Sequence, residues 1–292
     1  RYFNRNNRKC EPPKIMLDPL PRVILMPGLG LFGLGKSAKD ASIAADLAET
    51  TARVITGAEE LGIYKCIPER DIFDVEYWSL EQAKLGQANE KPLSRHVVAV
   101  TGGASGIGAA TAAAFASRGA EVFILDRDLP AAQSVASRIG GISLKCDVTR
   151  ASSVERAFAH ICRSSGGLDI LVSNAGAAWQ GRIGEVDEKT LRDSFELNFW
   201  GHQRCAQAAV SIMKAQGTGG VLLFNTSKQA INPGPSFGPY GLPKASTLFL
   251  SRQYALDHGA DGIRSNAVNA DRVRTGLLTE DMIKTRSELR GI

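Results

Sequence analysis

The rhythm of apolar and polar positions changes near residue 95. From there to residue 268, short apolar runs alternate with longer stretches in which apolar residues recur at helical spacing. His96–Thr101, Glu121–Asp126, Ile142–Cys146, Leu168–Ser173, Gly220–Asn225 and Ile263–Val268 read as strands. Ile107–Arg118, Pro130–Ile139, Ser152–Ser164 and Tyr240–His258 read as helices, and Glu188–Met213 as one long helix or two shorter ones. Strands alternating with helices of this length predict an α/β fold, a doubly wound parallel sheet covered on both faces.

The first 92 residues carry a different pattern. Residues 1–21 are polar, with Pro12, Pro13, Pro19 and Pro21, and read as a linker. Arg22–Met26 reads as a short strand, Pro27–Gly35 as a loop and Ser37–Leu61 as a helix. Ser79 opens a second, short helix through a capping box with Gln82. Residues 86–95 are polar and contain Pro92, which sets a boundary. The expected organisation is therefore a linking or bridging segment over 1–92, an N-terminal α/β extension built on a strand–loop–helix unit, and a nucleotide-binding domain over 93–292.

Composition narrows the function classes. Hydrophobic residues make up 43% of the 292, enough for a core and too many for a disordered chain. The net charge of +5 is mild, and part of it lies in Arg1, Arg5, Arg8 and Lys9 with no nucleic-acid-reading motif beside it, so a solvated end is expected and no nucleic-acid partner. Five cysteines without a C-x-x-C pair argue against a disulfide framework or a zinc site and favour a reducing compartment. The four histidines, His96, His160, His202 and His258, stand singly, as surface or core histidines do, so no metal is expected. No signal-peptide pattern and no run of 18 apolar residues occurs, and the chain is expected to be cytoplasmic, without a membrane partner.

Two glycine loops compete as phosphate cradles. Gly28-Leu-Gly30-Leu-Phe-Gly33 follows a strand, but the acidic residues after it, Asp46 and Glu49, lie inside a helix rather than at the end of a second strand. A structural glycine turn is the better reading there. Gly102-Gly-Ala-Ser105-Gly106-Ile107-Gly108 lies between a strand and a helix, where glycines permit a tight turn and close approach to a pyrophosphate at the helix N-terminus. The next strand ends at Asp126, 24 residues after Gly102, placed to accept hydrogen bonds from ribose hydroxyls and to repel a 2′-phosphate. Ser105 offers no cation to such a phosphate and Arg127 is the contrary feature, so NAD is favoured over NADP.

The order Thr101-Gly-Gly-x-Ser105-Gly-Ile-Gly108, Asp147-Val148, Asn174-Ala175-Gly176, Ser227 and Tyr240-x-x-x-Lys244, with Ser227 13 residues before Tyr240, resembles the short-chain dehydrogenase/reductase family over about residues 95–280. The resemblance implies a Rossmann-like fold and a catalytic set of Asn198, Ser227, Tyr240 and Lys244. Tyr240 and Lys244 are four apart and share a helix face. A free tyrosine titrates near pH 10, and a lysine cation with an oxidised nicotinamide nearby favours the phenolate that takes the alcohol proton. Lys244 would also bind the nicotinamide ribose, Ser227 the substrate oxygen, and Asn198 a water of the proton relay. By the same resemblance Asp147 and Val148 meet the adenine, and Asn174, Ala175 and Gly176 pack its ribose side. Pro243 suits a helix that begins near Tyr240, where a first-turn N–H has no partner.

The family's Pro-Gly after the sixth strand is replaced by Asn269-Ala-Asp-Arg-Val273-Arg-Thr275, in which Val273 and Thr275 keep the places that meet the nicotinamide carboxamide. The resemblance also implies a seventh strand some tens of residues past Ile292, so the fold is expected to be C-terminally truncated, with that last strand missing. The stretches PRVILMPGLGLFGLG, DVEYWSLEQAKLG, YGLPKAS and HGADGIRSNAVNADRVRTGLL resemble the dehydrogenase part of bifunctional class II aldolase/short-chain dehydrogenases, of the rhamnulose-phosphate aldolase/lactaldehyde dehydrogenase type. That implies carbohydrate metabolism, a small hydroxylated substrate, an upstream aldolase domain and a homo-oligomer. Two alternatives stay open: an NADP-linked carbonyl reductase and a non-catalytic dinucleotide-binding module. Trp179, Gln180, Asn232, Pro233 and Phe237 are candidate pocket walls by position.

Overall fold

The computed structural model describes residues 1–80, 83, 90–271, 273 and 275. Contacts divide the chain into two compact units, Arg1–Pro92 and Leu93–Ile292.

In the first unit, β1 (Val23–Met26) pairs antiparallel with β2 (Gly30–Gly33). The expected loop is thus a hairpin. Gly28 at φ +79° and Gly30 at φ +127° supply the left-handed backbone of the turn. Helix α2 (Ala38–Leu61) follows, and its N-terminus is closed by Ser37, whose hydroxyl accepts the Asp40 amide at 3.2 Å. The expected linker also carries structure. Helix α1 (Tyr2–Asn7) brings Tyr2 and Phe3 against Phe73 of α3 (Glu69–Glu76) and Tyr77 just after it, with ring centroids 5.1–6.0 Å apart. Local polarity hid this: the partners of Tyr2 and Phe3 lie some seventy positions downstream. The capping box to Gln82 lies outside the described residues.

The second unit is the doubly wound sheet. Six parallel strands, β3 (Val97–Thr101), β4 (Glu121–Asp126), β5 (Ile142–Lys145), β6 (Ile170–Ser173), β7 (Gly220–Asn225) and β8 (Ile263–Val268), lie in the order β5-β4-β3-β6-β7-β8. The order reverses between β3 and β6, and a crevice opens at the carboxyl ends of strands at such a switch point. Alternation along β3 explains the two faces. Val97 and Ala99 join one core cluster with α6 (Ala151–Ser165) and α8 (Gly201–Gln216). Val98 and Val100 join the other with α4 (Gly106–Ser117) and α5 (Leu129–Ile139).

Two helical stretches carry irregularities, the first of them resolving into the two shorter helices that were one of the expected alternatives. Glu188–Met213 is not regular: α7 (Glu188–Phe195) runs into a π turn at Glu196–Trp200 before α8. Helix α9 spans Gly238–His258, so Pro243 sits in its second turn rather than at its start. The Pro239 carbonyl therefore loses its i+4 amide partner. No helix among the described residues is long and apolar enough to cross a membrane.

Candidate functional site

A cavity of about 940 Å³ opens at the switch point, lined from β3, β4, β6 and β7 and the segments that follow them. That is near the upper end of small-molecule and cofactor pockets, which run to about 1,000 Å³. Of the residues singled out from the sequence, Gly102, Ser105, Gly106, Ile107, Asp126, Arg127, Asp147, Val148, Asn174, Ala175, Gly176, Ser227, Tyr240, Lys244, Val273 and Thr275 all line it. Gly108 and Asn198 do not, and both lie behind the wall.

The glycine loop is built from β3 into α4. Gly102 and Gly106 have φ of +62° and +51°. A Cβ on Gly108 would stand 2.1 Å from the Gly102 carbonyl oxygen, so helix and strand end meet only because that side chain is absent. Ser105 is the N-cap of α4, yet its hydroxyl makes no capping bond, which leaves the first-turn amides as donors for an anion. These features fit a dinucleotide pyrophosphate. Thr275 closes on the loop, its methyl 3.2 Å from where a Gly106 Cβ would be. At the end of β4, Asp126 accepts the Ala104 amide at 3.1 Å and the Asp128 amide at 3.0 Å, which holds its carboxylate beside the loop. Burial works to raise the Asp147 carboxyl. Thr149 outweighs it through bonds of 2.7 Å from its hydroxyl and 3.0 Å from its amide, with Arg150 and Arg127 adding charge, and the group stays below the usual carboxylate range.

Asn174 ties the strand ends together. Its amide hydrogens reach the Thr101 and Gly102 carbonyls at 3.0 and 3.1 Å, and its oxygen accepts from Asn225 at 2.8 Å. At the far end of the cavity, Ser227 follows β7, and its hydroxyl acts on Tyr240 in the sense that favours the phenolate. The Lys244 Nζ lies 5.8 Å from the centroid of the Tyr240 ring and donates to the Asn225 carbonyl at 2.9 Å. Lys244 is 3% exposed, and that burial pushes its amine down to about 7. Burial also raises Tyr240 above its ordinary value, with the Ser227 bond opposing. The expected lowering of Tyr240 by a Lys244 cation is therefore not a property of these side chains alone. Asn198, fully buried in the π turn, exchanges hydrogen bonds with the Ala177 backbone, at 2.8 Å as donor and 3.3 Å as acceptor. Its own carbonyl accepts the Thr247 hydroxyl at 2.6 Å.

Three neighbours escaped sequence reasoning. Asn225 anchors both Asn174 and Lys244. Gln229, whose amide donates to Ser227 at 3.2 Å, lines the cavity with Trp179 and Phe237, whereas Gln180, Asn232 and Pro233 do not. His202 lies against Lys244, Nε2 to Nζ 3.4 Å. No local pattern in the sequence links His202 to Lys244, 42 residues away.

The family model described as short chain dehydrogenase matches residues 96–285, and that described as the second domain of class II aldolase matches residues 1–85. The uncharacterized oxidoreductase YuxG of Bacillus subtilis is 34% identical over 283 residues, covering 94% of this chain, which spans only 41% of that relative's length. A short-chain type dehydrogenase/reductase from Mycobacterium marinum superposes with a TM-score of 0.64 at 30% identity, over 68% of this chain and 81% of that one. A 3-ketoacyl-(acyl-carrier-protein) reductase from Brucella melitensis, solved with NADH, gives a TM-score of 0.60 at 28% identity, over 62% and 78% of the two chains.

Proposed function

The chain belongs to the short-chain dehydrogenase family, whose members are NAD(P)-dependent oxidoreductases and which here follows a class II aldolase-type segment, and from that premise we propose that it moves hydride between NAD and a small hydroxylated alcohol or aldehyde with Tyr240 as general acid and base. The observation that carries this reading is the juxtaposition of Ser227, Tyr240 and buried Lys244 in the same cavity as an uncapped helix N-terminus.

Gly102, Gly106 and the first turn of α4 would hold the pyrophosphate, and Asp126 the adenosine ribose. When bound, the oxidised nicotinamide supplies the hydride acceptor and a positive charge within the cavity. The Tyr240 oxygen takes the substrate hydroxyl proton, or returns it in the reverse direction. The Ser227 hydroxyl holds the substrate oxygen in reach. Ser227 acts to lower the Tyr240 proton affinity against the effect of burial, and Lys244 in its ammonium form would add to it. Asn198 fixes the Ala177 backbone beside Gly176, where a Cβ would come within 2.8 Å of its oxygen and 3.2 Å of Lys244 Nζ.

Asp126 at the end of β4 supports NAD over NADP, and an NADP-linked reductase remains the second reading because Arg127 lines the same cavity. Residues 1–92 are then the bridge to an upstream aldolase domain and 93–292 the dehydrogenase domain of a homo-oligomeric enzyme of carbohydrate metabolism. Five free cysteines accord with the cytoplasm. Tyr240→Phe is expected to lower kcat about a thousandfold while cofactor affinity stays within about twofold. Steady-state kinetics across alcohols, aldehydes and sugars, with a cofactor titration, measures both. Retained turnover in that variant would overturn the role of Tyr240, and cofactor binding without turnover in the unaltered protein would favour a binding module.

A further inference from the structure

Lys244 is a buried amine with no carboxylate beside it among the described residues. Its partners are the Asn225 carbonyl at 2.9 Å and the His202 ring at 3.4 Å. Tyr240 faces it from its own helix, and β7 and α8 contribute those two acceptors. Among the described residues no carboxylate acts on either Lys244 or His202. A buried ammonium without hydrogen-bond acceptors gives up its proton, so whatever accepts from Nζ decides both where the group sits and how much of it is charged.

His202 is suited to accept. It is 1% exposed, and burial together with Lys244 holds its pKa well below the ordinary histidine value, so the ring is neutral. A neutral imidazole has one donor and one acceptor nitrogen. The Ser173 hydroxyl lies 2.7 Å from Nδ1, and Lys244 lies at Nε2. Lysine as an ammonium can only donate, so Nε2 carries the lone pair and Nδ1 the hydrogen, directed at Ser173. Ser173 is itself buried at the end of β6, so the chain of bonds stops inside the protein, and His202 does not carry protons to solvent.

We propose that His202 is a positioning residue for the reaction: its Nε2 accepts from Lys244 Nζ and, with the Asn225 carbonyl, fixes the ammonium beside Tyr240, while Ser173 fixes the ring. This rests on the role assigned above to Tyr240 and Lys244. The competing account is that the ring only fills space against Phe224, 6.2 Å away between centroids.

His202→Phe keeps the ring volume and removes the acceptor, whereas His202→Gln restores an acceptor oxygen. Losing the acceptor disfavours the ammonium, and losing the ammonium makes the phenolate harder to form. In His202→Phe the acid limb of the oxidation pH profile is expected to move up by about one pH unit, with kcat near neutrality down about tenfold and KM little changed. His202→Gln is expected to recover most of both. Absorbance titration of tyrosinate, taken as the difference from the matching Tyr240→Phe protein, is expected to show the Tyr240 midpoint raised in His202→Phe without any turnover. An unshifted profile and midpoint in His202→Phe, or equal losses in the two variants alongside a lowered Tm, would overturn the proposal in favour of packing. Turnover surviving in Tyr240→Phe would instead overturn the acid–base reading, and the absorbance titration would still report whether His202 acts on the lysine–tyrosine pair.

Discussion

In Arg1–Pro92 the glycine loop Gly28–Gly33 folds back as a hairpin, whereas in Leu93–Ile292 the loop Gly102–Gly108 delivers the chain into a helix. Both follow a strand, both contain glycines at positive φ, and both are followed by an alanine-rich helix. They differ in what the next helix does with its first amides. Helix α2 is capped by its own Ser37, so an anion finds that end already satisfied. Helix α4 has a serine at the same place that makes no such bond, and the glycines before it bring the β3 end into contact with the helix. A glycine motif therefore marks a phosphate site only where the helix terminus beside it is left to the ligand.

Of the changes that test this pair of loops, the largest effect is expected from Gly108→Ala. The added methyl would stand 2.1 Å from the Gly102 oxygen and 2.6 Å from the Asn174 amide nitrogen, both in the cradle itself. Opening the cradle to admit it should cost about 1–3 kcal/mol, so cofactor affinity is expected to fall up to about a hundredfold. Fluorescence titration with the reduced cofactor reads this directly. Unchanged affinity would place the cofactor elsewhere and erase the distinction between the loops.

Gly33→Ala applies the same insult to the other loop. Its methyl would meet the Ala41 oxygen at 2.2 Å and the Ala45 amide nitrogen at 2.7 Å, where β2 packs on α2. A stability loss of about 1–3 kcal/mol is expected on denaturant unfolding, with cofactor affinity unaltered. A weakened cofactor affinity at equal folded fraction would mean that the first loop also takes part in binding.

The sequence carried the parallel sheet because apolar runs alternate with helical periods and every strand end is punctuated. It carried the cavity because Gly102, Asp126, Asn174 and Ser227 all fall at carboxyl ends of strands or just beyond them, with Tyr240 set by its interval from Ser227. It carried less of the first unit, where the Tyr2–Phe73 contact joins segments far apart in the chain and β2 is spelled entirely in glycine, leucine and phenylalanine. The π turn was also hidden, because Glu196–Trp200 has ordinary helical composition and its extra residue shows only in the backbone. His202 was illegible as a partner of Lys244 because the two stand on different helices, 42 residues apart, and nothing local links them.

The smallest effect is expected at Asp126, and it tests how the second loop chooses its nucleotide. The carboxylate holds two backbone amides, Ala104 at 3.1 Å and Asp128 at 3.0 Å, so Asp126→Ala removes both a charge and a loop support. Asp126→Asn removes the charge and keeps one of the two acceptor oxygens, so one of the two amide bonds survives. If the charge excludes a 2′-phosphate, both variants shift the ratio of NAD to NADP dissociation constants toward NADP by about tenfold, with Arg127 in the same cavity available to the phosphate. If the carboxylate matters chiefly as loop support, both variants weaken the two nucleotides alike, Asp126→Asn less than Asp126→Ala, and the ratio stays put. Binding titrations with the two cofactors separate these patterns. A ratio unmoved in both variants would shift discrimination away from the end of β4, leaving that carboxylate as a prop for the glycine loop rather than a reader of the ribose.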